Sequence, residues 1–306
     1  MTRFDVVAMA LAPERHIGVF VDHYRARGAQ RVRVYFDGPA SAAPRPTAVG
    51  LSDDELTLCD DAFWASRGGR PASVEARQRI VYADAYRDLQ ADWLVVVDID
   101  ELIFGPVDLA AALQAVPAGC GLAIFPTVEA VWRAGEDMNR EYGAVLARKS
   151  YSGPGWSELG HLLYPGAGAF FVRGLLGHHM GKYAVLRGLD CPPPPRIHEA
   201  KRNEVPLKAA RARDPRTGRP VRLLHYDAIS LDAWRAKWDR RLAAGDTVEI
   251  GRRRCRQQAT YAAARETGGE RALFARLYSL NRVQEAVLRR LGLLLDIAPA
   301  PRSARH

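Results

Sequence analysis

The residues best able to do chemistry are three acids that arrive within four positions, Asp98, Asp100 and Glu101. They follow the apolar run Trp93-Leu94-Val95-Val96-Val97, which reads as a fully buried parallel strand. Carboxylates spaced i, i+2 at a strand's carboxyl end lie where open α/β sheets place their ligands. If the strand persists, alternation aims Asp98 and Asp100 the same way, so that one divalent cation could meet both. A solvated acidic turn is the competing reading. The apolar run that delivers the acids at its very end favours a site.

The elements that must hold these acids are legible upstream. Phe4 to Met9 reads as a strand, and Glu14 to Arg27 as a helix with Ile17, Phe20, Val21 and Tyr24 on one face, closed by Gly28. Val32 to Phe36 is a second strand ending in Asp37-Gly38. This β-α-β opening predicts a doubly wound α/β sheet. Neither a dinucleotide fingerprint nor a P-loop lies between strand and helix. Leu56 to Cys59 reads as a third strand and Asp60 to Pro71 as a mobile connection. A helix from Ser73 to about Leu89 carries Arg77, Gln78 and Arg79 and leads into the central strand. One of its arginines could reach a phosphate or a base edge, and Arg79 is the candidate.

Further on, Asp108 to Ala115 reads as a helix, Gly121 to Phe125 as a strand, and Ser152 to Gly168 as a Gly-rich loop. Gly177 to Arg187 gathers His178, His179, Lys182 and Arg187 among glycines, beside the four-proline turn Pro192 to Pro195. Val221 to Asp227 reads as a strand with His225 near its end. From Arg240 the chain is helical and basic, and Leu273 to Ile297 carries leucines among arginines. That stretch packs on the domain or on a second subunit of a homodimer; the alternative is an amphipathic helix on an anionic membrane.

The stretch Asp92 to Leu102, Asp-Trp-Leu-Val-Val-Val-Asp-Ile-Asp-Glu-Leu, resembles the DxD motif of GT-A fold glycosyltransferases, in their family-2-like branch. The resemblance covers most of residues 1–240, and it implies a GT-A (Rossmann-like) doubly wound mixed sheet. By it, Asp98 and Asp100 hold Mn²⁺ or Mg²⁺ against the diphosphate of a UDP- or GDP-sugar, and Asp37 contacts the base or ribose. The family's Asn-Glu pair after the first strand is Pro13-Glu14 here. Lys182 could neutralise the leaving diphosphate, and His225 is the third metal ligand, with His198 or His178 as substitutes. An inverting mechanism needs an acceptor-side base, for which Glu129, at the end of a strand, and Asp137 are the candidates. The acceptor is a glycan, a lipid-linked glycan or another hydroxyl compound.

The 306 residues suffice for one large α/β domain, here residues 1–240, followed by a helical extension over 241–298 and a disordered tail over 299–306. A net charge of +9 favours anionic partners, but its thin spread argues against a nucleic-acid footprint. Four scattered cysteines without a CxxC pair fit a reducing cytoplasm, and no run is apolar enough to span a bilayer. Two other classes compete. A phosphohydrolase of the haloacid-dehalogenase type also ends a strand in DxD, but Leu102 stands where Thr or Val is usual. A basic nucleic-acid-binding protein leaves the strand's acids unexplained.

Overall fold

The computed structural model describes residues 1–177, 179–189, 201–202, 205–243 and 252–298. The expectations for His178, His198, Pro192 to Pro195 and the tail over 299–306 lie outside the described residues. In chain order the elements are β1 (Phe4–Ala10), α1 (Glu14–Arg25), β2 (Val32–Phe36), β3 (Leu56–Leu58), α2 (Asp61–Ala65), α3 (Val74–Arg87), β4 (Trp93–Val96) and β5 (Glu101–Ile103). They continue with α4 (Leu109–Gln114), β6 (Leu122–Phe125), β7 (Thr127–Arg133), β8 (Leu146–Lys149), α5 (Trp156–Leu163), β9 (Lys182–Leu186), β10 (Lys201–Arg202), β11 (Val205–Pro206) and β12 (Ala209–Arg211). The chain closes with β13 (Leu223–His225), α6 (Leu231–Ala243), α7 (Arg252–Glu266), α8 (Glu270–Tyr278), β14 (Ser279–Leu280), α9 (Arg282–Arg290) and β15 (Leu294–Asp296).

Two compact units share this chain, one of Met1–Pro126 with Met180–Leu223, the other of Thr127–His179 with the described residues from Leu224 on. The boundary expected at residue 240 is therefore replaced by an interleaved one. Residues 252–298 belong with 127–179 instead of forming an extension.

The first unit is built on a seven-stranded sheet of order β12-β6-β9-β4-β1-β2-β3. Strands β3, β2, β1 and β4 run parallel, whereas β9 runs antiparallel to both β4 and β6. The sheet is thus doubly wound and mixed. Both faces of its centre are covered, which explains the uninterrupted apolar runs. Val7, Tyr35, Leu94 and Val96 pack with Val81, Tyr82 and Ala85 of α3 in one buried cluster. The alternate residues Val6, Ala8, Val34 and Val95 are equally buried, as is the α1 stripe Ile17, Phe20, Val21 and Tyr24. Helix α3 starts where Ser73 accepts the Ala76 N–H, a cap visible in the sequence. The connection expected over Asp60 to Pro71 contains α2, because the Asp60 carboxylate caps it by accepting the Phe63 N–H.

In the second unit β15, β8 and β7 pair antiparallel, and β14 runs parallel to β7. The loop expected over Ser152 to Gly168 contains α5, entered through Gly155 at φ 75°. The leucine-rich stretch Leu273 to Ile297 is α8, β14, α9 and β15 in succession, not one helix. Leu273, Phe274, Leu277, Leu280, Leu288 and Leu294 are buried, so the reading as packing against the domain holds for them. Among the described residues no helix is long and apolar enough to cross a membrane.

Truncation after Gly268 removes β14 and β15 together with four large buried side chains of α8. Each such side chain contributes roughly 1.5–3 kcal/mol, as much in sum as a typical domain's whole stability of about 5–15 kcal/mol. The truncated chain is therefore expected to lose the cooperative unfolding of its second unit, seen as rapid proteolysis across 127–179. Retention of the full-length unfolding profile would refute this packing.

Candidate functional site

In the first unit the chain order reverses at β1, with β2 and β3 on one side and β4 on the other. The carboxyl ends at such a reversal open a crevice suited to ligands. Asp98 follows β4 there and Asp37 follows β2. The strand does not persist to Asp100 as expected: it ends at Val96, and the Glu101 N–H closes a turn onto the Asp98 carbonyl at 3.0 Å. Alternation therefore does not align the two aspartates. A turn brings Glu101 back onto Asp98 instead, with the Asp98 N–H donating to Glu101 Oε2 at 2.8 Å.

The Asp98 carboxylate is held from three directions. Gln78 Nε2 donates to Oδ1 at 3.0 Å, the Tyr82 hydroxyl to the same oxygen at 3.3 Å, and Lys182 Nζ to Oδ2 at 2.8 Å. Gln78 and Tyr82 stand i, i+4 on α3 and so share a face. Lys182 opens β9, one step beyond the Val96–Tyr183 pair, which sets it beside the end of β4. It is buried and also lies 3.8 Å from Glu101 Oε2. Burial pulls its pKa down, but Asp98, Glu101 and Asp100 outweigh that, and the ammonium ends above its ordinary value. Burial raises the Tyr82 hydroxyl well above its usual range, with Asp98 and Glu101 adding to the effect, so it stays a donor. Gly181 precedes Lys182 at φ 80°, and a Cβ there would meet the Phe125 carbonyl oxygen at 2.3 Å. Only glycine passes at that point.

Asp37 is buried between two arginines: Arg70 Nη2 donates to Oδ1 at 2.9 Å and Arg77 Nε to Oδ2 at 2.8 Å. Consecutive residues of α3, Arg77 and Gln78, thus reach the acids after β2 and β4 in turn. Arg79 is exposed, and its Nε makes a 3.4 Å contact with the Glu75 carbonyl. Of Arg77 and Arg79, the one that reaches Asp37 is Arg77.

The donor set suits a hard divalent cation. The Asp98 and Glu101 carboxylates flank the Lys182 ammonium, the Asp98 side chain is 32% exposed, and Asp100 is half-buried. Oxygen anions of this kind are what Mg²⁺ and Mn²⁺ take. Among the described residues no three His, Cys, Asp or Glu side chains are gathered to hold a metal by themselves.

The remaining candidates belong to the second unit. Glu129 lies in the middle of β7, not at a strand end, and is fully buried. Its Oε2 accepts from Arg148 Nε at 2.8 Å, and its carboxylate also accepts the Leu176 and Gly177 N–H groups, at 3.1 and 2.7 Å. Arg148 in turn donates to the Leu277 carbonyl and lies over the Phe171 ring. Burial opposes the Arg148 charge, but Glu129 more than restores it. Asp137 is exposed, with Oδ1 accepting the Asn139 N–H at 2.9 Å. His225, half-buried, lies against Gly177, where a Cβ would come within 2.9 Å of its ring. Nearby, Asp227 is buried and accepts from the Tyr278 hydroxyl at 2.5 Å and from Lys237 at 3.4 Å. Burial would raise its carboxyl, but Lys237, Arg254, His225 and Tyr278 together hold it well below the usual range.

The sequence reading missed Gln78, Tyr82, Arg70 and the strand character of Lys182 to Leu186. For Gln78 and Tyr82 the signal was present in their i, i+4 spacing on a helix feeding the acidic strand.

No protein-family model matches the chain, and no curated protein matches it in sequence. Among solved structures it is similar to glucosyl-3-phosphoglycerate synthase from Mycobacterium tuberculosis, whose crystal structure was determined with phosphoglyceric acid and with Mg²⁺ and uridine diphosphate. The match has 18% identity and a TM-score of 0.32, over 61% of this chain and 57% of that one. Mannosyl-3-phosphoglycerate synthase from Rubrobacter xylanophilus matches at 16% identity and TM-score 0.33, over 61% and 54% of the two chains. The chain spans little more than half the length of these structures.

Two outcomes follow from the charges. Lys182→Met leaves Asp98 and Glu101 without their buried cation, which should cost about 3–5 kcal/mol. Added Mg²⁺ or Mn²⁺ should then raise the variant's melting temperature more than the wild type's; equal shifts would deny that the cluster attracts a dication. Asp227, with its folded pKa below the unfolded value of about 3.9, contributes stability above that pH and loses it as pH falls through the folded pKa. The stability gap between wild type and Asp227→Asn should therefore be full at pH 7 and narrow below about pH 4, which denaturant titrations across pH would show.

Proposed function

We propose that this protein is a metal-dependent glycosyltransferase of GT-A type, moving a sugar from a nucleotide diphosphate donor to a hydroxyl acceptor. The observation that carries the reading is the acidic turn Asp98 to Glu101 at the carboxyl end of β4, set beside β1 where the chain order reverses and backed by buried Lys182. Asp98 and Asp100 are the residues proposed to hold Mg²⁺ or Mn²⁺. When bound, the ion would supply positive charge to the departing diphosphate. Gln78, Tyr82 and Lys182 orient Asp98, so that its carboxylate is fixed before a ligand arrives. Asp37, with Arg70 and Arg77, is proposed to line the nucleoside end of the same edge. Its oxygens both accept from arginines, so guanidinium N–H groups share in whatever recognition occurs there.

For the base that takes the acceptor's proton, Asp137 is proposed in preference to Glu129. A base must meet the hydroxyl it deprotonates, whereas Glu129 is enclosed by Arg148 and two backbone N–H groups.

Calorimetric titration with UDP and with GDP, each with Mg²⁺, Mn²⁺ or chelator, tests the reading. The wild type should bind one nucleotide in a metal-dependent way, and Asp100→Ala should weaken that binding by at least about tenfold with the fold unchanged. Failure of both nucleotides to bind the wild type would remove the proposal. In the same titration, His225→Ala should weaken the metal dependence if the imidazole is a ligand, and leave it intact if the ring serves only the second unit.

A further inference from the structure

A cavity of about 540 Å³ opens in the first unit, lined by none of the residues Asp98 to Glu101. Its walls are the end of α1 with Arg27, the segment Gly105 to Val107 leading into α4, and Asp214 to Arg216. The volume is that of a site for a small organic molecule.

Arg27 is the unusual member. Its Nη2 donates to the Ile103 carbonyl at 2.9 Å and to that of Gly105 at 3.1 Å, and its Nη1 approaches the His23 carbonyl at 3.3 Å. Every one of these partners is neutral, and among the described residues no carboxylate pairs with it. Its Nε is buried without a hydrogen-bond partner. Burial, the largest influence on it, pulls its pKa down. A guanidinium withdrawn from water ordinarily meets a counter-charge, because the desolvation is otherwise uncompensated.

The cavity's two acids do not supply that charge. Asp108 Oδ1 accepts the Ala111 N–H at 2.9 Å and caps α4. Asp214 accepts the Arg216 N–H at 3.0 Å and the Thr217 hydroxyl at 2.9 Å, fixing its own turn. Arg216 is exposed, donates one weak bond of 3.3 Å to the Pro106 carbonyl, and keeps its Nε 3.8 Å from Asp214. Its guanidinium is the second cation on the cavity wall and the one with N–H groups to offer. Apart from these residues the lining is apolar or bare backbone, from Ala26, Pro106, Val107, Ala111 and Pro215.

We infer that this cavity binds a compact organic anion, a phosphate or carboxylate on a small carbon body, held through Arg216 with Arg27 as the half-buried counter-charge. Its lining holds none of the residues Asp98 to Glu101, and its occupant is read as a second ligand and not the donor nucleotide.

The test uses the full chain with inorganic phosphate, glycerol 3-phosphate and malonate as probes, by calorimetry and by hydrogen exchange. Saturable binding at millimolar concentration is expected for at least one probe, with protection confined to residues 105–111 and 214–216. The probe preferred between glycerol 3-phosphate and malonate identifies the anion as phosphate or carboxylate. Arg216→Glu, which lies on the surface, should weaken that binding at least about tenfold without lowering the melting temperature. Arg27→Lys keeps the charge but not the fork and should weaken it less. Asp100→Ala should leave it unchanged, which separates this site from the donor site. Absence of binding to all three probes, or equal affinity in Arg216→Glu, overturns the inference.

Discussion

The first unit depends on a balance of charge at the end of one strand. Placing Asp98, Asp100 and Glu101 after a fully apolar run concentrates negative charge at a sheet edge, and the sheet answers Asp98 and Glu101 with the ammonium of Lys182. The answer is possible because β9 runs antiparallel to β4, which lets its first residue stand beside the last residue of its neighbour. A parallel neighbour would have delivered its own carboxyl end there. The one glycine that lets the chain turn past the Phe125 carbonyl, Gly181, is thus part of the electrostatics as much as of the backbone.

Much of this was legible from residues alone. The strands β1, β2 and β4, the helices α1 and α3, the Ser73 cap that starts α3 and Gly28 beyond the end of α1 follow from period, length and flanking residues, all of them local signals. The acidic edge was legible for the same reason. What failed was whatever depends on pairing across distance. Strand β9 is short and flanked by glycines, so nothing local marks it as a strand until β4 and β6 are seen on either side of it. Glu129 read as a candidate base because nothing near it in sequence announces Arg148 as its partner. The leucines after Leu273 read as one amphipathic helix, because a two-residue strand such as β14 leaves no period of its own.

The second unit treats charge differently. Glu129 and Arg148 are both removed from water, and each is completed by groups from other segments: backbone N–H groups at Leu176 and Gly177 and the carbonyl of Leu277. A buried pair of this kind adds little net stability over an apolar pair of the same size, but breaking it is costly. Its consequence is definition of position: the backbone at Gly177 is fixed, and the bare Cα there gives the His225 ring a flat surface to rest on.

The interleaving of the two units also sets a timetable for the nascent chain. Val96 emerges with no partner on the side that β9 later covers, and Tyr183 is made roughly ninety residues afterwards. At bacterial and eukaryotic synthesis speeds of about 5–20 residues per second, that edge stays open for several seconds or longer. Until Lys182 arrives, Asp98 and Glu101 repel one another at the rim of an incomplete sheet. The same acids that mark the site keep this open edge charged and soluble, a safeguard against pairing with a neighbouring chain on the ribosome.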